Sequence, residues 1–139
     1  MRVELSDEAR QYIGRFDELT GVAPKDCLVE SDRLVFLVPA GEMAAAIGQA
    51  GETVEEAERR LAKSVDLVED ADTPEAFVAS ALAPAAVTAV TVSEQNDRVA
   101  YVEVPEPDRG VAIGADGDNI ETARTLAKRH YDIDDIQLT

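Results

Sequence analysis

The chain is written twice, and that repetition constrains its fold more than any other feature. Sliding the sequence along itself without a gap pairs Pro39 with Pro105, Ala46-Ile47-Gly48 with Ala112-Ile113-Gly114, and Gly51 with Gly117. The same register pairs Val54 with Ile120, Glu55 with Glu121 and Ala57 with Ala123. Beyond that point it slips by one residue, where Leu61-Ala62-Lys63 matches Leu126-Ala127-Lys128. Two small units on one plan are therefore expected, over residues 1–70 and 71–139. They meet in the acidic stretch Glu69-Asp70-Ala71-Asp72. That stretch is too short for a free linker, so the units are expected to pack with little hinge freedom.

Each unit reads α-β-β-α-α-β. In the first, Ser6 is a good N-cap, Asp7 and Glu8 suit the positive end of a helix, and Ala9, Tyr12, Ile13 and Phe16 recur at helical spacing until Gly21 and Pro24. Cys27-Leu28-Val29 and Leu34 to Val38 are short apolar runs around the polar turn Glu30-Ser31-Asp32-Arg33, which predicts a hairpin. A short helix over Glu42 to Ile47, a longer one carrying Val54, Ala57 and Leu61, and a strand through Val65, Leu67 and Val68 complete the unit. In the second, Thr73-Pro74-Glu75 starts a helix through Phe77 to Leu82. Strands are expected over Val87 to Val92 and Val99 to Val104, and a last strand near Ile136.

Between the paired helices the octets Ile47-Gly48-Gln49-Ala50-Gly51-Glu52-Thr53-Val54 and Ile113-Gly114-Ala115-Asp116-Gly117-Asp118-Asn119-Ile120 share the pattern I-G-x-x-G-x-x-[VI]. Glycines three apart let the chain reverse without Cβ clashes. They also leave amides at the start of the second helix for an anion to approach. One such loop is ordinary helix capping; two copies with the same flanking Ile and the same upstream strand and proline point to a shared ligand.

Charge argues the other way. Asp and Glu number 29 against 13 Lys and Arg, a formal net charge of -16, which repels phosphate at ordinary ionic strength. Only Lys25, Lys63 and Lys128 among the basic residues are lysines, and aromatics are few. This is the surface of a protein working in multimolar salt, where the Debye length falls to about 3 Å and net charge acts only at contact. The single Cys27 excludes a disulfide framework, and the start Met1-Arg2-Val3-Glu4 lacks the features of a secretory signal, so a cytoplasmic protein is expected. The weakly polar stretch from Ala76 to Val92 is interrupted by Pro84 and is too short to cross a bilayer.

With these octets, and with Asp26-Cys27, Ala81-Leu82-Ala83-Pro84-Ala85, Val99-Ala100-Tyr101-Val102 and Ala127-Lys128-Arg129-His130-Tyr131, nearly the whole chain resembles tandem K-homology (KH) domains of the archaeal NusA-like transcription factors. The resemblance implies an α+β fold of two tandem type II KH domains, αββααβ each, with helices packed on small three-stranded mixed sheets. It implies binding of single-stranded RNA and a role with RNA polymerase in transcription elongation, termination or antitermination. In KH modules the GxxG loop clamps about four backbone nucleotides beside an apolar groove. By position the first clamp is Gly48, Gln49, Ala50 and Gly51, the second Gly114, Ala115, Asp116 and Gly117, with Ile47 and Ile113 flooring the grooves.

KH loops commonly hold a basic residue between the glycines. Here stand Gln49-Ala50 and Ala115-Asp116, and Asp116 sets a carboxylate where phosphate would lie, which weakens the expectation for the second loop. Arg59, Arg60, Lys63, Arg109, Arg124, Lys128 and Arg129 lie on or beside the glycine-loop helices and could form a cationic strip. Lys63, Lys128 and Arg129 also sit where a helix C-terminus favours cations in any protein.

The remaining polar residues read as structural. His130 has no second His or Cys near it for a metal, and Asp132, Asp134 and Asp135 lack the glycine and closing Glu of a calcium loop. Cys27 lies in an apolar strand without a histidine in its unit, and no nucleotide-binding loop or Ser/His/Asp set exists. A monomeric, non-enzymatic RNA-binding protein without cofactor or metal is expected. The rival is an interaction module whose acidic surface docks on a basic partner such as RNA polymerase or a ribosomal protein. The salt argument predicts that the circular-dichroism melting temperature falls as KCl is lowered from multimolar to dilute buffer; an unchanged melt would remove it.

Overall fold

The computed structural model describes residues 3–139. The chain divides into two compact units, Glu4–Asp70 and Ala71–Thr139. The first contains α1 (Asp7–Thr20), β1 (Asp26–Val29), β2 (Arg33–Val38), α2 (Met43–Ile47), α3 (Glu52–Leu61) and β3 (Ser64–Glu69). The second contains α4 (Pro74–Ala81), β4 (Ala89–Ser93), β5 (Val99–Glu103), α5 (Arg109–Ile113), α6 (Asp118–Tyr131) and β6 (Asp135–Leu138).

The two units share one sheet topology. Each has three strands in chain order, the first pair antiparallel and the second parallel. The mixed sheet follows from the connections: the short turn Glu30-Ser31-Asp32 suffices between β1 and β2, whereas the parallel return to β3 needs the α2–α3 crossover. α1 is capped as the sequence predicts, Ser6 Oγ accepting from the Ala9 amide at 3.1 Å and Gly21 ending it at φ 78°. Thr73 Oγ1 does the same for α4, accepting from the Ala76 amide at 3.1 Å. β4 begins two residues later than its apolar run suggests: Val87 lies outside it, and Thr88 donates its amide and hydroxyl to the Glu103 carbonyl ahead of the ladder.

Aromatic stacking joins a helix to the sheet in the first unit and two helices in the second. Phe16 of α1 stacks on Phe36 of β2 with ring centroids 4.3 Å apart, and Phe77 of α4 stacks on Tyr131 of α6 at 4.8 Å. All three Phe are fully buried. β2 is buried along Leu34 to Val38, as a continuous apolar strand should be, while β5 alternates, with Ala100 and Val102 buried and Tyr101 and Glu103 exposed. Lys25 Nζ meets the buried Asp70 carboxylate at 2.5 Å and ties the start of β1 to the end of β3. Among the described residues no helix is long and apolar enough to cross a membrane.

Cys27 is buried at 4% exposure, and burial, reinforced by Asp26 and Glu8, pushes its thiol up to about 12. An unfolded thiol ionises near pH 8.5. Between those values the native state holds a proton that the unfolded state releases, so this group's contribution to stability falls as pH rises. Urea unfolding of the native protein should lose stability more steeply above pH 9 than that of Cys27→Ala. Phe77→Ala should cost about 3–5 kcal/mol in the same measurement.

Candidate nucleic-acid interface

The two glycine corners are the same object built twice. Gly48 lies at φ 79°, ψ 172° and Gly114 at φ 80°, ψ 171°; Gly51 lies at φ 77°, ψ 8° and Gly117 at φ 77°, ψ 9°. Between them Ala50 and Asp116 are also left-handed, at φ 54° and 55°. Each corner joins the end of a short helix to the start of a longer one.

The two glycines of a corner have different reasons to be glycine. A Cβ on Gly48 would lie 2.1 Å from Thr53 Oγ1 and 2.8 Å from the Thr53 amide nitrogen; on Gly114 it would lie 2.7 Å from Asn119 Cβ and 2.8 Å from the Asn119 nitrogen. The first glycine is therefore pressed against the first turn of the following helix. Around Gly117 there is open space, and Gly51 would meet only the tip of Glu55 at 3.9 Å, so the second glycine answers only to its positive φ. Asn119 tightens the second corner, its Nδ2 reaching the carbonyls of Val111, Ala112 and Leu82 at 3.2–3.3 Å.

Some of the amides that the sequence suggests are bare are used within the corner. Gly48 donates to the Ala44 carbonyl, Gly51 to Gly48 and Glu52 to Gln49, and the second corner repeats this with Gly114 to Gly110, Gly117 to Gly114 and Asp118 to Ala115. What faces outward is the exposed pair Gln49-Ala50 and its counterpart Ala115-Asp116. The left-handed site also accounts for Asp116, since Asp and Asn are the non-glycine residues that adopt that conformation most readily.

Ile47 and Ile113, each 39% exposed, close the short helices next to the corners. In the second unit Arg109, Ile113, Gly117, Ile120, Glu121, Arg124, Gln137 and Leu138 line an open groove of about 450 Å³. It runs from the corner to the edge strand β6. Arg109 donates to the Thr139 carbonyl at 3.1 Å and stands 4.0 Å from Glu106. Arg124 is more tightly held, bonding the Ile136 carbonyl at 2.9 Å, Asp135 at 3.0 Å and also Glu121. Ile120 closes the repeated octet, whereas Gln137 and Leu138 carried no signal in the sequence, because strand pairing alone brings them to this groove.

The basic residues do not form one strip. Arg59, Arg60 and Lys63 lie roughly 12 Å or more along the helix direction from Gly51. Arg59 and Arg60 both pair with Glu56, whose carboxyl they hold below its usual range. Lys63 donates to the Glu30 carbonyl at 2.8 Å and sits 5.5 Å over the Tyr12 ring. Lys128 and Arg129 occupy the last turn of α6, where Lys128 bonds Asp134 at 2.6 Å; this lowers the Asp134 carboxyl and raises the lysine. Of the expected cations, Arg109 and Arg124 line the groove that begins at a corner.

The first unit differs at the positions that line this groove in the second. By register Met43 stands where the second unit has Arg109, Glu58 where it has Arg124, and Asp66 where it has Gln137. The tie from helix to strand is inverted accordingly: Glu58 accepts from the Val65 amide at 2.9 Å, whereas Arg124 donates to the Ile136 carbonyl.

The family model for the NusA-like second KH domain matches residues 74–139. The chain is 60% identical over 139 residues to the "Probable transcription termination protein NusA" of Halobacterium salinarum, covering all of both proteins. The chain belongs to the NusA family. It is also 33% identical to the protein of that name from Methanocaldococcus jannaschii, over 99% of this chain and 75% of that one. Among solved structures it superposes on "Crystal structure of APE1850" with a TM-score of 0.85 and 29% identity, over 97% of this chain and 100% of that one. A NusA-family member with these corners should tolerate Gly51→Ala better than Gly48→Ala, because only the latter adds a clash to the left-handed strain of about 1–2 kcal/mol. Thermal melts of the two variants measure the difference.

Proposed function

We propose that the units over residues 1–70 and 71–139 are two type II KH domains that hold single-stranded RNA at their glycine corners, and that the protein acts through that grip in transcription elongation, termination or antitermination. The observation that carries this reading is the identity of the two corners in backbone conformation, with their central residues exposed. Capping alone does not require two copies to agree within a few degrees at a non-glycine left-handed residue. The names of the relatives as transcription termination proteins support the role.

Within this reading the corners grip differently. Gln49 and Ala50 present neutral backbone and an amide side chain to phosphate, in a unit where Glu58 and Asp66 occupy the positions that Arg124 and Gln137 hold in the other. The second corner carries Asp116 but has Arg109 close to the groove floor formed by Ile113. Two weak clamps on one chain raise the effective concentration of RNA at the second once the first is filled. The net charge of -16 is compatible with this only where salt confines it to contact range.

The test is fluorescence anisotropy with short single-stranded RNAs in multimolar KCl. Gly48→Asp would report folding together with binding, so the informative variants are Gln49→Asp and Ala115→Asp, which place a carboxylate at exposed sites. Each should weaken binding by about tenfold, the scale of one charged hydrogen bond. Asp116→Asn keeps a residue suited to left-handed φ and removes the charge, so it should bind RNA more tightly with an unchanged melting temperature. Arg109→Ala should weaken binding while Arg59→Ala leaves it unaltered. RNA that fails to bind at any salt concentration would transfer the acidic surface to the role of docking on basic protein partners.

A further inference from the structure

Among the described residues, four large apolar side chains are exposed on a surface otherwise dominated by charge: Ile47, Val111, Ile113 and Tyr101. The first three belong to the short helices that enter the glycine corners. Tyr101 does not. It lies on β5, 39% exposed, on the sheet face turned away from the buried Ala100 and Val102.

Its surroundings set it apart from the other aromatics. The three Phe are fully buried, Tyr12 lies under Lys63, and Tyr131 stacks on Phe77 with its hydroxyl on the Ala71 carbonyl. Tyr101 is flanked in register by Thr91 on β4 and Gln137 on β6, both exposed and uncharged. Gln137 is also a wall of the groove that begins at Gly117 and Ile113. Adjacent strands are about 4.8 Å apart, so a strand of RNA leaving the groove over the β6 edge meets the Tyr101 ring one step beyond Gln137.

We infer that Tyr101 is a stacking platform for a nucleobase of the single-stranded RNA, one position outside the stretch held by the second glycine corner and its groove. The inference rests on the reading of that corner as an RNA clamp and extends its site onto the open face of the sheet. The ring supplies a π surface without an ionised group, and Thr91 and Gln137 supply side-chain hydrogen-bonding groups at its margins. Stacking tolerates any base, so the platform adds affinity and length dependence more than sequence preference.

The experiment compares a labelled RNA of about four nucleotides, enough for one corner and its groove, with one of about eight. Tyr101→Ala should weaken the longer RNA by roughly tenfold and leave the shorter unchanged, and Tyr101→Phe should bind both as the native protein does. The chain has no tryptophan, so Tyr101→Trp provides a lone indole whose emission should be quenched by the longer RNA. Equal weakening of both lengths, or unchanged Trp emission with bound RNA, would overturn the platform. So would unaltered binding of the longer RNA by Tyr101→Ala while Ala115→Asp still weakens it, an outcome that leaves the clamp standing. Absence of RNA binding by the native protein would remove clamp and platform together.

Discussion

The geometry of both candidate sites depends on a backbone contact: the first glycine of each corner pressed on the first turn of the helix that follows. With Gly48 against Thr53 and Gly114 against Asn119, a single Cβ would stand less than 3 Å from a neighbouring backbone nitrogen. That contact sets where the longer helix begins relative to the shorter one. It also leaves the two intervening residues facing outward, the second of them at positive φ, while the carbonyl of the first accepts from the amide that opens the longer helix. A corner made this way is stiff. The ordering cost of its exposed residues is met during folding and does not fall on ligand binding.

Electrostatics distinguishes two corners that geometry makes equal. The protein is strongly acidic, yet its cations are mostly committed to carboxylates or carbonyls, as Arg33 is to Glu30 and Asp66, and Lys128 to Asp134. Exposed pairs of this kind contribute little to stability individually. They do keep positive charge from being spread evenly, so that Arg109 beside Ile113 matters more than the total of 13 basic residues suggests. The inverted tie at Glu58 and Arg124 shows how a duplicated fold can keep its helix–strand contact while exchanging donor for acceptor, and with it the sign of the charge at that position.

Much of the fold was legible before any coordinates. Ser6, Thr73 and Gly21 mark helix ends because capping is local chemistry, and the apolar runs of β2 and β5 mark strands because burial repeats at short range. The corners were legible because glycine at a left-handed position leaves a mark that duplication makes visible twice. The cationic strip was not. Sequence proximity to a glycine loop places Arg59 and Arg60 on the helix that the corner opens, but there they pair with Glu56, and Lys63 lies past the helix end on the Glu30 carbonyl.

What the sequence determined by itself is the repeated plan, the order of elements and the two corners, all of which follow from interactions between residues a few positions apart and from the match between halves. Tertiary structure alone decided which side chains share the groove. Gln137 reaches it because β6 pairs in parallel with β5, Arg109 because α5 is clasped by Asn119, and Tyr101 lies next to Gln137 because strand register sets it there. Gln137 is far along the chain from both Arg109 and Tyr101, and their meeting depends on how strands pair and helices dock, which no local pattern encodes.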